Sequence, residues 1–300
     1  ENKSLFTKIF VSDSGFDSYS TAISDVYQDT FNRSNFMGKG IFDVRAIKET
    51  LLGRFPENSL LSHDLIESCF AKAGFLSDTC LVEDFPTSFR SYISRDNRWV
   101  RGDWQLLPWL CRHIPTESGK KVKNPLDTLS LWMIFDNLRR SLVTPSFFVL
   151  FCLNWIFLAS NSISNLALAL FFGILLLEIF NIRKYLIHKM PVLEKFLLSA
   201  NFLMKKIRVS LASFVMIPAT AVNKIFSIVK ATHRLITRKH LLEWTTHSEV
   251  ENMKYESNVL EYFLSSGIVY LNATILLILI FLGKATLLNV LILSLWLLSP

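Results

Sequence analysis

Residues 62–105 read SHDLIESCFAKAGFLSDTCLVEDFPTSFRSYISRDNRWVRGDWQ, and the rest of the chain is organised around them. Ser62 can cap a helix with Asp64 in its first turn, where a carboxylate is favoured by the helix dipole. Leu65, Ile66, Cys69 and Phe70 recur at helical spacing and give that helix an apolar face, and Gly74 is placed to end it. The spacing predicts a strand over Phe75–Glu83, interrupted at Ser77-Asp78, with an acidic-apolar stretch Leu81–Phe85 that Pro86 closes. Ser88–Trp99 then reads as helix and delivers Arg98-Trp99, a pair suited to one job: a guanidinium pairs with phosphate and an indole stacks on a sugar ring. A charged helix face beside a buried Trp explains the same two residues without a ligand. Asp64 likewise has two readings, a dipole-favoured helix-start carboxylate or a general base. Beyond residue 105 the chain is mostly apolar. Acid, base and aromatic groups set against a membrane suggest an enzyme acting on a polar substrate at the bilayer surface.

The totals agree with a membrane protein. The 300 residues are 51% hydrophobic with mean hydropathy +0.34, and the excess is local, in 145–180 and 258–300. The formal net charge is +7. A nucleic-acid binder is one reading of that charge, but the basic residues flank the apolar runs: Lys120, Lys121 and Lys123, Arg139 and Arg140, then Arg183, Lys184 and Lys189. Such residues concentrate on the cytoplasmic side of membrane helices and are attracted by anionic lipid. Membrane lipid rather than nucleic acid is the expected partner. Cys69, Cys80, Cys111 and Cys152 form no CxxC pair and read as free, buried thiols in a reducing compartment. No signal peptide opens the chain, and both ends read as cuts within a longer protein.

Upstream of residue 62, a helix is expected over Asp17–Phe31 and another over Asp43–Leu52, closed by Gly53. Between them Gly38-Lys39-Gly40 lets backbone approach a ligand closely, with Lys39 available to phosphate or sugar, although a plain turn fits equally well. Downstream, 124–143 reads as an amphipathic interfacial helix and 144–182 as a transmembrane hairpin with both ends in the cytoplasm. Residues 183–257 read as cytoplasmic or interfacial amphipathic helices, interrupted at Pro218, and 258–300 as transmembrane helices. The spanning stretches carry almost no charge, which argues against a transporter. His63 is the one histidine beside a candidate catalytic carboxylate, and a structural hydrogen bond is its simpler use.

The stretch 62–105 resembles the second half of a processive membrane glycosyltransferase of the cellulose-synthase type. In that family a Thr-Glu-Asp motif, a Gly, an acidic strand, a Pro and Gln-x-x-Arg-Trp follow one another. Here Ser62-His63-Asp64, Gly74, Glu83-Asp84-Phe85-Pro86, Arg95-Asp96-Asn97-Arg98-Trp99 and Arg101-Gly102 stand in that order. The wording is closer still to the cyclic β-1,2-glucan synthases: GKGIFDV, GRFPEN, LLSHDLIE, RWVRGDWQLLPW, NPLDTLS, IFDNLRRSLV and LLEWTT resemble that family's transferase region. The likeness is strong over residues 1–145 and looser in the membrane region.

The resemblance implies an α/β fold, the C-terminal part (1–123) of a cytoplasmic nucleotide-diphospho-sugar transferase domain, followed by an α-helical transmembrane region. It implies a bacterial inner-membrane enzyme that moves glucose from UDP-glucose to a β-1,2-glucan acceptor with inversion. Asp64 falls at the family's general base. Arg98 and Trp99 fall where donor diphosphate and acceptor sugar are held, and Lys39, Asp103 and Trp104 are further acceptor candidates. The Gln of the family motif is Arg95 here, which receives no role. The family's Mg²⁺ or Mn²⁺ is held by an aspartate pair; Asp13 and Asp17 are spaced wrongly for it, so the metal ligands are expected outside this chain. Two alternatives stay open: another membrane polysaccharide synthase, such as one making cellulose, and an inert membrane-anchored piece serving as channel or scaffold.

Overall fold

A computed structural model describes residues 4–10, 23–36, 38–76, 86–158, 161–179, 191–243 and 267–299. They are mostly helical. The described elements are α1 (Leu5–Phe10), α2 (Ile23–Phe31), α3 (Val44–Leu51), α4 (Asp64–Ala71), α5 (Phe89–Gln105), β1 (His113–Pro115), β2 (Lys121–Lys123), α6 (Thr128–Leu153), α7 (Asn161–Ile179), α8 (Val192–Val215), α9 (Ile217–Thr237), α10 (Gly267–Phe281) and α11 (Leu287–Trp296). The strands among them are two, paired antiparallel as a short hairpin with Ile114 opposite Val122. The α/β sheet expected for a transferase domain is not seen among the described residues. The strand read over Phe75–Glu83 lies almost wholly outside them, Phe75 and Leu76 being irregular.

The chain divides into two compact units, Glu1–Leu142 with Asn223–Lys254, and Val143–Val222 with Tyr255–Pro300. In the first, α4 presents Leu65, Ile66 and Cys69 to a core completed by Leu106, Trp109, Ile114, Met133 and Ile134. Burying each large apolar side chain of this kind contributes about 1.5–3 kcal/mol. The expected helix boundaries hold closely at α3, which Asp43 caps by accepting from the Arg45 and Ala46 N–H groups. At its far end Gly53 sits at φ +74°, where a side chain would be strained. Ser88 likewise caps α5 through the Ser91 N–H.

Two polar anchors fix α4. At its C-terminal end Arg33, buried, spreads its guanidinium over both oxygens of Asp127 (3.1 and 2.8 Å), the Cys69 carbonyl (3.3 Å) and the Ser130 hydroxyl. Burial alone would raise the Asp127 carboxyl, but hydrogen bonds from Ser130 and the Arg33 charge outweigh it and hold the group below its usual range. At the N-terminal end Gln105, buried at the close of α5, accepts from the Leu61 N–H (2.6 Å) and donates to the Leu241 carbonyl (2.9 Å).

The second unit has an aromatic core of Phe148, Phe151, Trp155, Phe214 and Trp296. Pro218 explains the break between α8 and α9. It has no N–H for the Phe214 carbonyl, which instead accepts the Trp296 indole N–H at 3.0 Å, while the Ala219 N–H finds the Ser299 hydroxyl at 3.1 Å. Residues 128–158 are long and apolar enough to cross a membrane, and α8 with α9, bent by 59°, pass the same test as a pair. The interfacial stretch 124–143 and the first span from 144 are therefore not separate elements, because one helix runs through residue 143 and Pro145 without a break. Gly267–Phe281 and Leu287–Trp296 are apolar but shorter than the roughly 20 residues a straight span needs. Of the thiols, Cys69 is buried, Cys152 partly so, and Cys111 is exposed, contrary to the expectation of burial.

Candidate active site

Helical geometry sorts the 95–105 segment by face. Arg98, Gly102 and Gln105 lie at i, i+4 and i+7 and share one face of α5. That face is turned to the loop entering α4. A Cβ built on Gly102 would stand 2.5 Å from the Ser62 Cβ and 3.2 Å from the Ser62 nitrogen, so only glycine permits this approach. Gln105 holds Leu61, and Arg98 is near enough to influence both His63 and Asp64 electrostatically. The same end of α5 holds Leu241–Glu243, through Gln105 and through buried Arg101, which donates to the Glu243 carbonyl at 2.7 Å.

Asp64 opens α4, with a side chain 34% exposed. Burial pushes its carboxyl above the usual range; His63, Arg98 and the Ser62 hydroxyl pull it down, and Glu67 pushes it up. Ser62 does not cap the helix as expected. His63 occupies the cap position without a side-chain cap bond, and the Ser62 hydroxyl serves the Asp64 carboxylate instead. The Gly38-Lys39-Gly40 loop arrives here as well. A Cβ on Gly38, at φ +81°, would come within 3.2 Å of Asp64 Oδ1. Two features that were unconnected in the sequence, Gly38-Lys39-Gly40 and Asp64, are thus neighbours, with Lys39 exposed beside the carboxylate loop.

The other sequence candidates fall elsewhere on α5. Trp99 carries the Arg95 guanidinium over its ring at 4.6 Å, so one indole face is already occupied by a cation. Asp103 accepts from Asn137 Nδ2 at 3.2 Å and Trp104 Nε1 donates to the Ser141 hydroxyl at 2.9 Å, both on α6. Burial pushes the Asp103 carboxyl up to about 7, against the pull of Asn137, Arg140 and Lys224. Two turns away on that side Asp96 accepts from Asn223 at 3.0 Å and is also raised by burial. The structure therefore groups Asp64, Arg98 and the Lys39 loop, and sets Asp103 and Trp104 in a polar network with α6. Gln105 was not singled out from sequence, and Arg101 was named only within the motif, without a role. The i+7 spacing of Gln105 from Arg98 was the signal that could have marked it.

His63 Nδ1 lies 2.9 Å from Glu67 Oε1 and 3.9 Å from Asp64 Oδ1. Donor atoms of the three residues lie within 4.8 Å of one another, a spacing compatible with a cation. With one imidazole nitrogen among its three ligand atoms the group does not suit Mg²⁺, which prefers an all-oxygen shell. Within it His63 and Glu67 are hydrogen-bonded, and Asp64 lies beside them outside hydrogen-bond reach.

No family model matches the chain. Over an alignment of 267 residues covering 87% of this chain, it is 33% identical to the cyclic beta-(1,2)-glucan synthase NdvB of Rhizobium meliloti (strain 1021). The resemblance to a cyclic β-1,2-glucan synthase read from the sequence holds. The chain spans 9% of the length of that relative, so the similarity concerns one segment of a much larger protein.

Proposed function

We propose that this chain is part of a membrane glycosyltransferase that moves glucose from UDP-glucose to a growing β-1,2-glucan with inversion, Asp64 being the general base. The observation that carries this reading is the convergence on one half-buried carboxylate of the Gly38 loop, the Ser62 hydroxyl and the Arg98–Gly102–Gln105 face of α5. The similarity to a glucan synthase supports the chemistry. Asp64 takes the proton from an acceptor hydroxyl as its oxygen bonds to the anomeric carbon. The bond from that carbon to the phosphate oxygen breaks on the opposite face, and UDP leaves with the electron pair. An α-linked donor so becomes a β-linked product. A carboxylate raised by burial is better matched to a hydroxyl proton than one at its ordinary value. Arg98 offsets charge on the departing diphosphate, as fixed cations do, and Trp99 contacts the acceptor sugar.

We place the Mg²⁺ or Mn²⁺ of such enzymes on ligands outside this chain, and we place the protein in a bacterial inner membrane as a multi-pass chain with the Asp64 site on the cytoplasmic side. The test is product analysis on membranes carrying the full-length protein and labelled UDP-glucose. Label recovered in 2-linked β-glucose supports the proposal. Label in 4-linked glucose assigns the site to a cellulose-like synthase, and no incorporation into polymer leaves the scaffold reading.

A further inference from the structure

We infer that His63, held by Glu67, is a positioning residue that keeps a positive charge beside Asp64 and so keeps the base ionised when the acceptor hydroxyl arrives. This rests on the reading of Asp64 as the base. The imidazole has little part in the fold. It is more than half exposed and makes no cap bond to α4. Its near polar contacts are two carboxylates, Glu67 one helical turn on at 2.9 Å and Asp64 at 3.9 Å.

The charges around the pair explain why a cation is needed there. Burial and Glu67 both work against ionisation of Asp64, while His63, Arg98 and the Ser62 hydroxyl work for it. Of the two cations, the guanidinium of Arg98 is the one the proposed reaction directs to the diphosphate, which leaves the imidazole to serve the carboxylate. Whether that imidazole is charged depends on Glu67. The hydrogen bond to Glu67 is the largest influence on His63 and raises it; burial and Arg98 oppose, and the negative charges of Glu67 and Asp64 add to the rise. In the transfer the hydroxyl O–H bond breaks and its proton goes to Asp64, which returns it to water. His63 keeps its own proton throughout and contributes charge alone.

The experiment uses membranes carrying the full-length protein, with glucose incorporation from labelled UDP-glucose followed between pH 5 and 9. A unit charge about 4 Å away in a water-like dielectric corresponds to about fivefold in the ionisation equilibrium. His63→Gln is expected to lose up to about fivefold relative to wild type at the acid end of the profile and nothing at the alkaline end, where the wild-type imidazole is as uncharged as the Gln side chain. His63→Lys restores the acid end. A His63→Gln deficit that is equal at every pH, no deficit at all, or a His63→Lys variant as impaired as His63→Gln overturns the inference. Asp64→Asn, measured in parallel, separates the two layers. If it retains incorporation, the base assignment fails and this inference with it; if it is inactive while the His63→Gln profile is flat, only the role of His63 fails.

Discussion

Gly102→Ala is the most discriminating perturbation of the helix contact that builds the site. The added methyl would stand 2.5 Å from the Ser62 Cβ and 3.2 Å from the Ser62 nitrogen. Two carbon atoms need roughly 3.5–4 Å, so Ser62 must retreat from α5 by about 1 Å. It cannot do so alone, since Leu61 is tied to Gln105 and Asp64 begins α4 two residues later. Overpacking of this kind costs about 1–3 kcal/mol, whereas replacing glycine inside a helix returns about 0.5–1 kcal/mol. The net cost is at most about 2.5 kcal/mol, which is too small to unfold the protein. A displacement of about 1 Å in a reacting group costs on the order of 100-fold in rate. Incorporation of labelled glucose should therefore fall about 100-fold while the membrane-extracted protein keeps its resistance to limited proteolysis and its UDP-glucose binding. Wild-type incorporation by Gly102→Ala would refute the contact between α5 and the Asp64 loop, and equal loss of activity and fold would refute the claim that the contact serves the site.

Asp103 supplies a pH test. Its carboxyl is raised to about 7 in the fold by burial, so the folded state holds a proton that the unfolded chain releases near pH 4. That contribution is fully present below about pH 4 and is lost as pH rises through about 7, at most about 4 kcal/mol in all. Asp103→Asn, which still accepts from Asn137, should flatten the fall in thermal midpoint between pH 5 and 8; an unchanged slope would remove Asp103 from the cause. Gln105→Leu leaves the buried Leu61 N–H and the Leu241 carbonyl without a partner, at about 1–3 kcal/mol each. It should lower the midpoint and open the 240–243 segment to protease; unchanged cleavage there would contradict the bridge.

The sequence made some of this plain and hid the rest for physical reasons. Helices α3 and α4 were legible because Gly53 closes the one and Leu65, Ile66 and Cys69 keep a helical period in the other, whereas α5 was read to Trp99 and runs on to Gln105. Asp64, Arg98 and the Gly38 loop could be named singly, but their meeting is set by packing between segments far apart in the chain, which no local pattern encodes. The roles of Gln105 and Arg101 were missed because a polar residue at a helix end reads as solvated until its buried backbone partners are seen. Asp103 and Trp104 were chosen for their motif neighbours, yet the helical turn carries them round to α6, away from the face shared by Arg98, Gly102 and Gln105. The run from 124 to 158 was divided at an amphipathic-to-apolar change in composition, although a helix continues through such a change when its neighbours change with it.

The measurement closest to the central claim is Asp64→Asn against wild type, in membranes carrying the full-length protein, with labelled UDP-glucose followed both as bound donor and as incorporated glucan. Asn keeps the size of the side chain and removes the proton acceptor. The account expects incorporation to collapse by at least about 100-fold, the range of general-base catalysis, with donor binding within a factor of two or so of wild type. Incorporation at the wild-type rate would contradict it and leave Asp64 a carboxylate that merely begins a helix.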